Sequence, residues 1–140
     1  MSITKEKLVE ELNNDISREY ASEIQYIQHA SVITGAQYES IRKELLVHAQ
    51  EEMQHAIMLS DQIISLGGTP TIDVGTMEVS NNSLEMLKQD LKREKDAIER
   101  YKERIAQAET LREYGTRRIL EDILIQEEEH KRDLLSAVGT

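Results

Sequence analysis

The sequence contains two Glu-x-x-His motifs, each preceded at one fixed distance by another glutamate, and this arrangement strongly constrains the fold. The motifs span 52–55 and 127–130, and the preceding glutamates are Glu19 and Glu94. One constant offset relates the two sets, from 19 to 94, from 52 to 127 and from 55 to 130. Residues i and i+3 share one face of a helix, so each motif presents a carboxylate and an imidazole together. The chain is therefore an internal repeat of metal-ligand types, whose candidate ligands are Glu19, Glu52, His55, Glu94, Glu127 and His130.

The same offset also pairs apolar positions with apolar positions, which indicates that the repeat is architectural. Examples are Val9 with Leu84, Leu12 with Leu87, Ile16 with Leu91, Leu45 with Leu120 and Leu59 with Leu134. The repeat also distinguishes two glutamates in the first segment. Glu23 pairs with Ile98, whereas Glu19 pairs with Glu94, so Glu19 is the better candidate for an inward-facing ligand.

Apolar residues recur at spacings of three and four in four segments, which predicts four helices. They run from about 5 to 33, 41 to 66, 83 to 108 and 120 to 138. Residues 34–37 and 110–113 are predicted to form tight turns with caps, and 82–85 a capping box. Helices of this length are about 40 Å long, and the segment 69–81 is long enough to cross that distance when extended. We therefore predict one all-α domain, 1–140: an antiparallel four-helix bundle with one long crossover between helices two and three.

Composition excludes several classes of protein. The chain has 140 residues, no cysteine and a net charge of −10. Without cysteine there is no disulfide framework, no thiolate nucleophile and no cysteine-ligated metal. The negative charge argues against nucleic-acid and anionic-membrane partners, because both require clustered cations. No apolar run reaches signal-peptide or membrane-spanning length, so we expect a cytoplasmic location.

Four glutamates at one level of a bundle require compensating charge. Buried carboxylates repel one another and would otherwise take up protons. Two divalent cations supply that charge, with an expected separation of about 3.5 to 4 Å. Hard oxygen ligands with two imidazoles and no sulfur favour iron or manganese, and zinc is also compatible.

A Glu from each of two helices with Glu-x-x-His from the other two is the pattern of the ferritin-like di-iron carboxylate proteins. The chain resembles that superfamily along nearly its whole length, and the bacterioferritins most. The resemblance lies in Glu19 followed by Ile24-Gln25-Tyr26 and His29, in Glu52-Met53-Gln54-His55-Ala56, and in Asp90-Leu91 before Glu94. The resemblance implies that Glu52 and Glu127 bridge two iron ions. It also implies that Glu19 and Glu94 each cap one ion, and that His55 and His130 each bind one. Rubrerythrins are less similar, because they carry a further glutamate where this chain has Ala97.

The resemblance implies an enzyme of the ferroxidase type, which binds Fe(II) and oxidises it with O₂ or peroxide. One alternative is a non-enzymatic iron carrier or buffer. Another is a di-iron peroxidase of the rubrerythrin type, or an oxygenase of the hydroxylase type that acts on an organic substrate. A hydroxylase would need an open apolar channel and often a membrane-facing surface, and without Phe or Trp the chain has no aromatic-rich helix for it.

A second apolar strip on helices one and two predicts a homodimer or a higher homo-oligomer. It comprises Ile24, Ile27, Leu46, Met53, Ile57 and Ile64. Met53 matches the bacterioferritin methionine that binds haem b across a subunit twofold. The alternative is that Met53 packs in the dimer interface. Bacterioferritins that build 24-subunit shells have a short fifth helix, so a chain that ends at Thr140 is expected not to form such a shell.

Three further pairs of residues carry weaker expectations. Asp15 and Asp90 precede Glu19 and Glu94 by one turn. They either accept the second ring N–H of the ligand histidines or have a solvated or helix-start role. Tyr26 and Tyr101 either donate a hydrogen bond or an electron near the site, or are ordinary core tyrosines. His29 and His48 have no histidine at the position that the repeat relates to them. We therefore interpret them as packing or surface residues.

Overall fold

The computed structural model describes residues 2–139, and its regular structure is entirely helical. The helices are α1 (Lys5–Val32), α2 (Glu39–Ser65), α3 (Ser83–Thr110) and α4 (Tyr114–Val138), with one turn of 3-10 helix, Ala36–Tyr38, before α2. The predicted all-α class is confirmed. Met1 and Thr140, the two ends of the predicted 1–140 domain, lie outside the described residues.

Side-chain caps and glycines explain where the helices begin and end. Thr4 Oγ1 accepts from Lys7 N at 3.1 Å at the start of α1, and Asn82 Oδ1 accepts from Glu85 N at 2.8 Å at the start of α3. Each cap satisfies one of the free N–H groups of a first helical turn. Gly67, with φ of 88°, is the second residue after α2 and has a conformation that favours glycine.

The caps that we predicted for the two tight turns are wrong. No side chain caps α4: Thr110 Oγ1 donates instead to Ala106 O, within α3. At the other turn the 3-10 helix precedes α2, whose first residue is Glu39. Short 3-10 segments are common at helix starts, and sequence patterns locate helix ends only to within a few residues.

Two apolar clusters define the directions of the helices. The first cluster joins the start of α1 to the ends of α2 and α3 and the start of α4, through residues such as Leu8, Leu12, Leu59, Ile63, Ala108 and Leu120. The second joins the end of α1 to the starts of α2 and α3 and the end of α4, through Ala30, Leu45, Met86, Leu87 and Leu134. Helices α1 and α4 therefore run in one direction and α2 and α3 in the other. This is the predicted bundle, in which α3 runs parallel to α2.

The crossover from α2 to α3 is held along α1. Asn13 donates to Thr69 O and accepts from Thr71 N, and Gly75 N donates to Ser17 O at 3.0 Å. A Cβ at Gly75 would lie 3.3 Å from that carbonyl oxygen, so the close approach favours glycine. The contacts advance along α1 in chain order, so the crossover follows the length of the bundle.

The predicted apolar strip is exposed in the isolated chain. Its six residues, Ile24, Ile27, Leu46, Met53, Ile57 and Ile64, are between 41% and 62% exposed. In the part of the chain that the structure describes, no helix is both long and apolar enough to span a membrane.

Candidate metal centre

The structure brings all six predicted ligand residues together between the two apolar clusters. Each of the six is at most 1% exposed. They form two groups whose donor atoms lie within 4.8 Å of one another: Glu19, Glu52, His55 and Glu127 in one, and Glu52, Glu94, Glu127 and His130 in the other. Glu52 and Glu127 belong to both groups, so these two carboxylates lie where bridging ligands would be needed.

The donor atoms are spaced as ligands around a cation would be. His55 Nδ1 lies 3.5 Å from Glu19 Oε2, 3.3 Å from Glu52 Oε1 and 3.6 Å from Glu127 Oε1. His130 Nδ1 lies 3.5 Å from Glu52 Oε1, 3.5 Å from Glu94 Oε1 and 3.3 Å from Glu127 Oε1. Ligands about 2 Å from a metal ion are separated from one another by roughly 3 to 3.5 Å. The two groups therefore have the dimensions of two adjacent metal sites.

Unpartnered polar atoms also converge at this point. The buried atoms without a hydrogen-bond partner include Glu19 Oε2, Glu52 Oε1, Glu94 Oε2, both carboxylate oxygens of Glu127, His55 Nδ1 and His130 Nδ1. Each such atom costs about 1–3 kcal/mol when it is left unpaired. Hard oxygen donors with two imidazoles suit divalent iron, manganese or zinc. The residues present therefore fit a pair of metal ions.

Without metal, the site retains protons. Burial raises the pKa of Glu52 well above its usual value, with the charge of Glu127 as the next cause. Burial, with the charge of Glu94, also raises the pKa of Glu127 to about 7. Burial acts in the same direction on Glu19, but the contact with His55 and its charge, the hydrogen bond from Tyr101 and the charge of Arg100 together outweigh burial and lower that pKa.

The two histidines also hold protons, although burial alone would lower their pKa values. The contact with Glu19 and the charges of Glu19 and Glu127 raise the pKa of His55 to about 9, and the contacts with Glu127 and Glu94 and their charges raise the pKa of His130 to about 11. Protons in the metal-free centre thus occupy the place of cation charge.

A hydrogen-bond network behind the histidines determines which ring nitrogens face the centre. His55 Nε2 lies 2.5 Å from Gln126 Oε1, Gln126 Nε2 donates to Glu51 Oε2 at 3.0 Å, and His130 Nε2 lies 2.9 Å from Glu51 Oε1. Glu51 can only accept, so the amide nitrogen of Gln126 must face it and the amide oxygen must face His55. Both Nε2 atoms therefore carry the proton, and both Nδ1 atoms face the carboxylates as potential ligands.

Glu51 and Gln126 were not among the predicted site residues, although the repeat contains the signal for them. Each immediately precedes the first glutamate of a Glu-x-x-His motif, so the offset of the repeat relates the two positions. Their types differ, so a search for identical pairs passes over them.

The prediction that Asp15 and Asp90 accept hydrogen bonds from the ligand histidines is wrong, and so is the alternative of solvated positions. Both aspartates are at most 1% exposed. Asp15 accepts from Arg100 Nη1 and Arg104 Nε, both at 2.8 Å. Asp90 accepts from Gln25 Nε2 and contacts His29 Nδ1, both at 2.9 Å. The physical reason is the packing of α1 against α3, which places these partners opposite the aspartates. These pairs obey the repeat too, since its offset relates position 25 to 100 and position 29 to 104.

Tyr26 and Tyr101 donate hydrogen bonds to the terminal glutamates of the opposite half. Tyr26 Oη donates to Glu94 Oε1 at 2.6 Å, and Tyr101 Oη donates to Glu19 Oε1 at 2.5 Å. Both tyrosines are buried members of the apolar clusters. Each hydroxyl orients one carboxylate, and the other oxygen of each carboxylate, Oε2, has no hydrogen-bond partner.

His29 and His48 are both buried packing residues. His29 belongs to the Asp90 pair and also contacts Glu78 O of the crossover at 3.1 Å. His48 stacks on His130 with ring centroids 3.9 Å apart, and burial lowers its pKa. The stacking keeps the ring of His130 from rotating away from the centre.

The helix directions and the buried layer of carboxylates and imidazoles define a four-helix bundle of the di-metal carboxylate class. The chain belongs to the ferritin-like domain family, whose model matches residues 9–140. It is 31% identical to a bacterioferritin of Brucella melitensis over 95% of this chain and 87% of the relative. It is 27% identical to a bacterioferritin of Streptomyces coelicolor over 89% of this chain and 75% of that relative.

Two solved structures share the fold. A ferritin-like, di-iron carboxylate protein from Bacillus anthracis superposes with a TM-score of 0.93 at 29% identity, over 99% of this chain and 100% of the other. A bacterioferritin-related protein from Bacteroides fragilis, described as a dodecameric thioferritin, superposes with a TM-score of 0.90 at 31% identity, over 98% and 87%. The predicted resemblance to the ferritin-like superfamily is confirmed.

Proposed function

We propose that this protein binds two Fe(II) ions as substrates in the candidate centre and oxidises them with O₂ or peroxide. The observation that supports this most is the convergence of unpartnered carboxylate and imidazole atoms on one buried point. Membership of the ferritin-like family supports iron over manganese or zinc. Two Fe(II) ions supply two electrons and become two Fe(III) ions. With two protons, these electrons convert O₂ to H₂O₂, or H₂O₂ to two molecules of water.

The residues divide into bridging and terminal ligands. Glu52 and Glu127 bridge, because they are shared by the two groups. One Fe(II) ion is held by Glu19 with His55, and the other by Glu94 with His130. The surrounding apolar clusters exclude water, which strengthens the electrostatic attraction between the carboxylates and the cations.

The experiment is anaerobic Fe(II) binding followed by O₂ consumption. We expect two Fe(II) ions per chain and repeated turnover. Glu127→Ala removes both ions, because a bridge serves both, whereas Glu19→Ala weakens mainly one. Glu129→Ala is the matched control, because Glu129 is an exposed residue of the same helix. Equal stoichiometry in the Glu127 and Glu19 variants would contradict the bridging roles.

The same experiment separates oxidation from transport. Two Fe(II) ions bound without catalytic O₂ or peroxide consumption would mean that the protein is an iron carrier or buffer. Consumption of oxidant that depends on an added organic substrate would indicate a peroxidase or oxygenase instead.

We also propose that α1 and α2 form a homodimer interface through the exposed apolar strip. The related protein from Bacteroides fragilis is dodecameric, which supports a homo-oligomer here. Ile57 is 47% exposed in the middle of the strip. Ile57→Glu is expected to reduce the particle mass measured by light scattering, whereas Ile125→Glu, on α4, is the control. A wild-type monomer at micromolar concentration would reject the interface.

Haem b at Met53 stays a prediction for the same interface. Met53 is 46% exposed on the strip, so a twofold would bring two copies of it together. A Soret band in the purified protein that disappears in Met53→Leu would support haem binding. If the purified protein has no Soret band and Met53→Leu lowers the particle mass, Met53 is a packing residue of the dimer.

A further inference from the structure

The two halves of the centre differ in the residues that support the ligand histidines. Glu51 and Gln126 occupy equivalent positions of the repeat, yet His130 Nε2 faces a carboxylate at 2.9 Å and His55 Nε2 faces an amide oxygen at 2.5 Å. A carboxylate partner makes a metal-bound imidazole a stronger donor and stabilises the charge of the complex. A neutral amide oxygen orients the ring but adds no negative charge.

The halves also differ beside the terminal glutamates. Next to Glu19, the charges of Asp15 and Glu11 are offset by Arg100 and Arg104. Next to Glu94, the partners of Asp90 are Gln25 and His29, with no guanidinium among them. These groups are largely buried, so solvent screens them weakly. The Glu94 half therefore has the more negative surroundings.

We propose that the half formed by Glu94 and His130 binds a divalent cation more tightly than the half formed by Glu19 and His55, and that Glu51 is the positioning residue responsible. This inference rests on the two-metal centre of the proposed function. Changes to the partners of ligand histidines commonly alter metal affinity by about 10- to 100-fold. The carboxylate–amide difference is thus large enough to fill the two positions in order.

Ordered filling has a consequence for the chemistry. A chain with one Fe(II) ion has one electron to give, whereas reduction of O₂ to H₂O₂ takes two. When Fe(II) is scarce, the His130 half fills first and the chain holds iron without oxidising it. Oxidation begins when the His55 half also fills, so its affinity sets the iron concentration at which turnover starts.

The test is a Co(II) titration that isolates each half, followed by visible absorbance and calorimetry. Glu19→Ala leaves the His130 half intact, and Glu94→Ala leaves the His55 half intact. The two are matched, because each removes one terminal glutamate and frees one tyrosine hydroxyl. We expect Glu19→Ala to bind Co(II) about tenfold more tightly than Glu94→Ala. Equal affinities, or the reverse order, would overturn the proposal.

Exchanging the two supporting residues tests the assignment to Glu51. The double change E51Q/Q126E keeps one amide and one carboxylate in contact but moves the negative charge behind His55. In this background the tenfold advantage passes to the His55 half, so the affinity ratio of the two half-site variants is expected to invert, a fall of about 100-fold. E129Q, which removes an exposed carboxylate from α4, is expected to leave the ratio unchanged. A ratio that the exchange does not lower would refute the role of Glu51.

A measurement on the unmodified protein gives an independent answer. The chain has four histidines, so their imidazole ¹⁵N signals can be distinguished during a Zn(II) titration. The first equivalent is expected to shift the His130 signals and the second those of His55. If two Zn(II) ions bind and the signals of both histidines shift together, unequal binding is refuted but the two-metal centre is not. Fewer than two Zn(II) and fewer than two Co(II) ions per chain would refute the two-metal centre itself.

Discussion

Replacing Asp15 by asparagine is expected to destabilise the protein more than the same replacement at the equivalent position, Asp90. Asp15 is fully buried and accepts from two guanidiniums, of which Arg104 is 4% exposed and Arg100 is 17% exposed. Burial raises the pKa of Asp15, and the two arginines oppose that shift. The intact pair therefore adds little net stability, but its disruption leaves buried positive charge without compensation.

The magnitude follows from the hydrogen bonds that each variant can re-form. In Asp15→Asn, the new side chain turns its NH₂ group toward one of two obligate donors, so one contact becomes repulsive and the charge is lost. Breaking a buried ion pair costs about 3–5 kcal/mol, and the lower end applies because Glu11 still contacts Arg104 at 3.3 Å.

At the equivalent position the network can adapt. In Asp90→Asn, the amide oxygen still accepts from Gln25. The ring of His29 can change tautomer, accept from the new NH₂ group at Nδ1 and donate from Nε2 to Glu78 O. Every donor then keeps an acceptor, so the expected loss is about 1 kcal/mol.

Urea unfolding of metal-free protein, followed by circular dichroism at one protein concentration, measures both losses. The difference between the two variants is expected to be about 2 kcal/mol. Equal losses, or a larger loss for Asp90→Asn, would show that the uncompensated guanidiniums do not determine the cost.

Three further outcomes are expected. Metal-free protein should melt at a lower temperature at pH 8 than at pH 5: raised pKa values at Glu52, Glu127, His55 and His130 mean that the folded state holds protons that the unfolded state has released. Saturating Zn(II) should remove most of this drop in melting temperature. A metal-free protein that melts no lower at pH 8 than at pH 5 would contradict the raised pKa values. Tyr101→Phe should lower the unfolding free energy by about 1–3 kcal/mol, because Glu19 Oε1 loses its donor, while the exposed Tyr114→Phe changes it little in the same urea assay. Leu120→Ala, at a fully buried position, should cost about 2–5 kcal/mol, against less than about 0.5 kcal/mol for Ile125→Ala; a small loss at Leu120 would mean that the first apolar cluster relaxes into the cavity.

The helices, their directions and the convergence of the six candidate ligands could be predicted from two features of the sequence: the apolar periodicity of each helix and the repeat that relates the two halves. Spacings of three and four determine which residues share a face, and the constant offset of the repeat indicates which faces are equivalent. The partners of Asp15 and Asp90 could not be predicted in this way. They depend on the register between α1 and α3, which is set by side-chain packing across the bundle. A spacing along one helix carries no information about that register.

The contact between Glu51 and Gln126 depends on the covalent joining of two unequal halves. If one hairpin paired with an identical copy of itself, the two positions would have to hold the same residue. With two glutamates, two negatively charged carboxylates would face each other with no proton between them. With two glutamines, both imidazoles would lack an anionic partner. A single chain is free of that symmetry requirement, so a donor and an acceptor can face each other across the pseudo-twofold. This freedom lets a site with equivalent ligands distinguish its two sides.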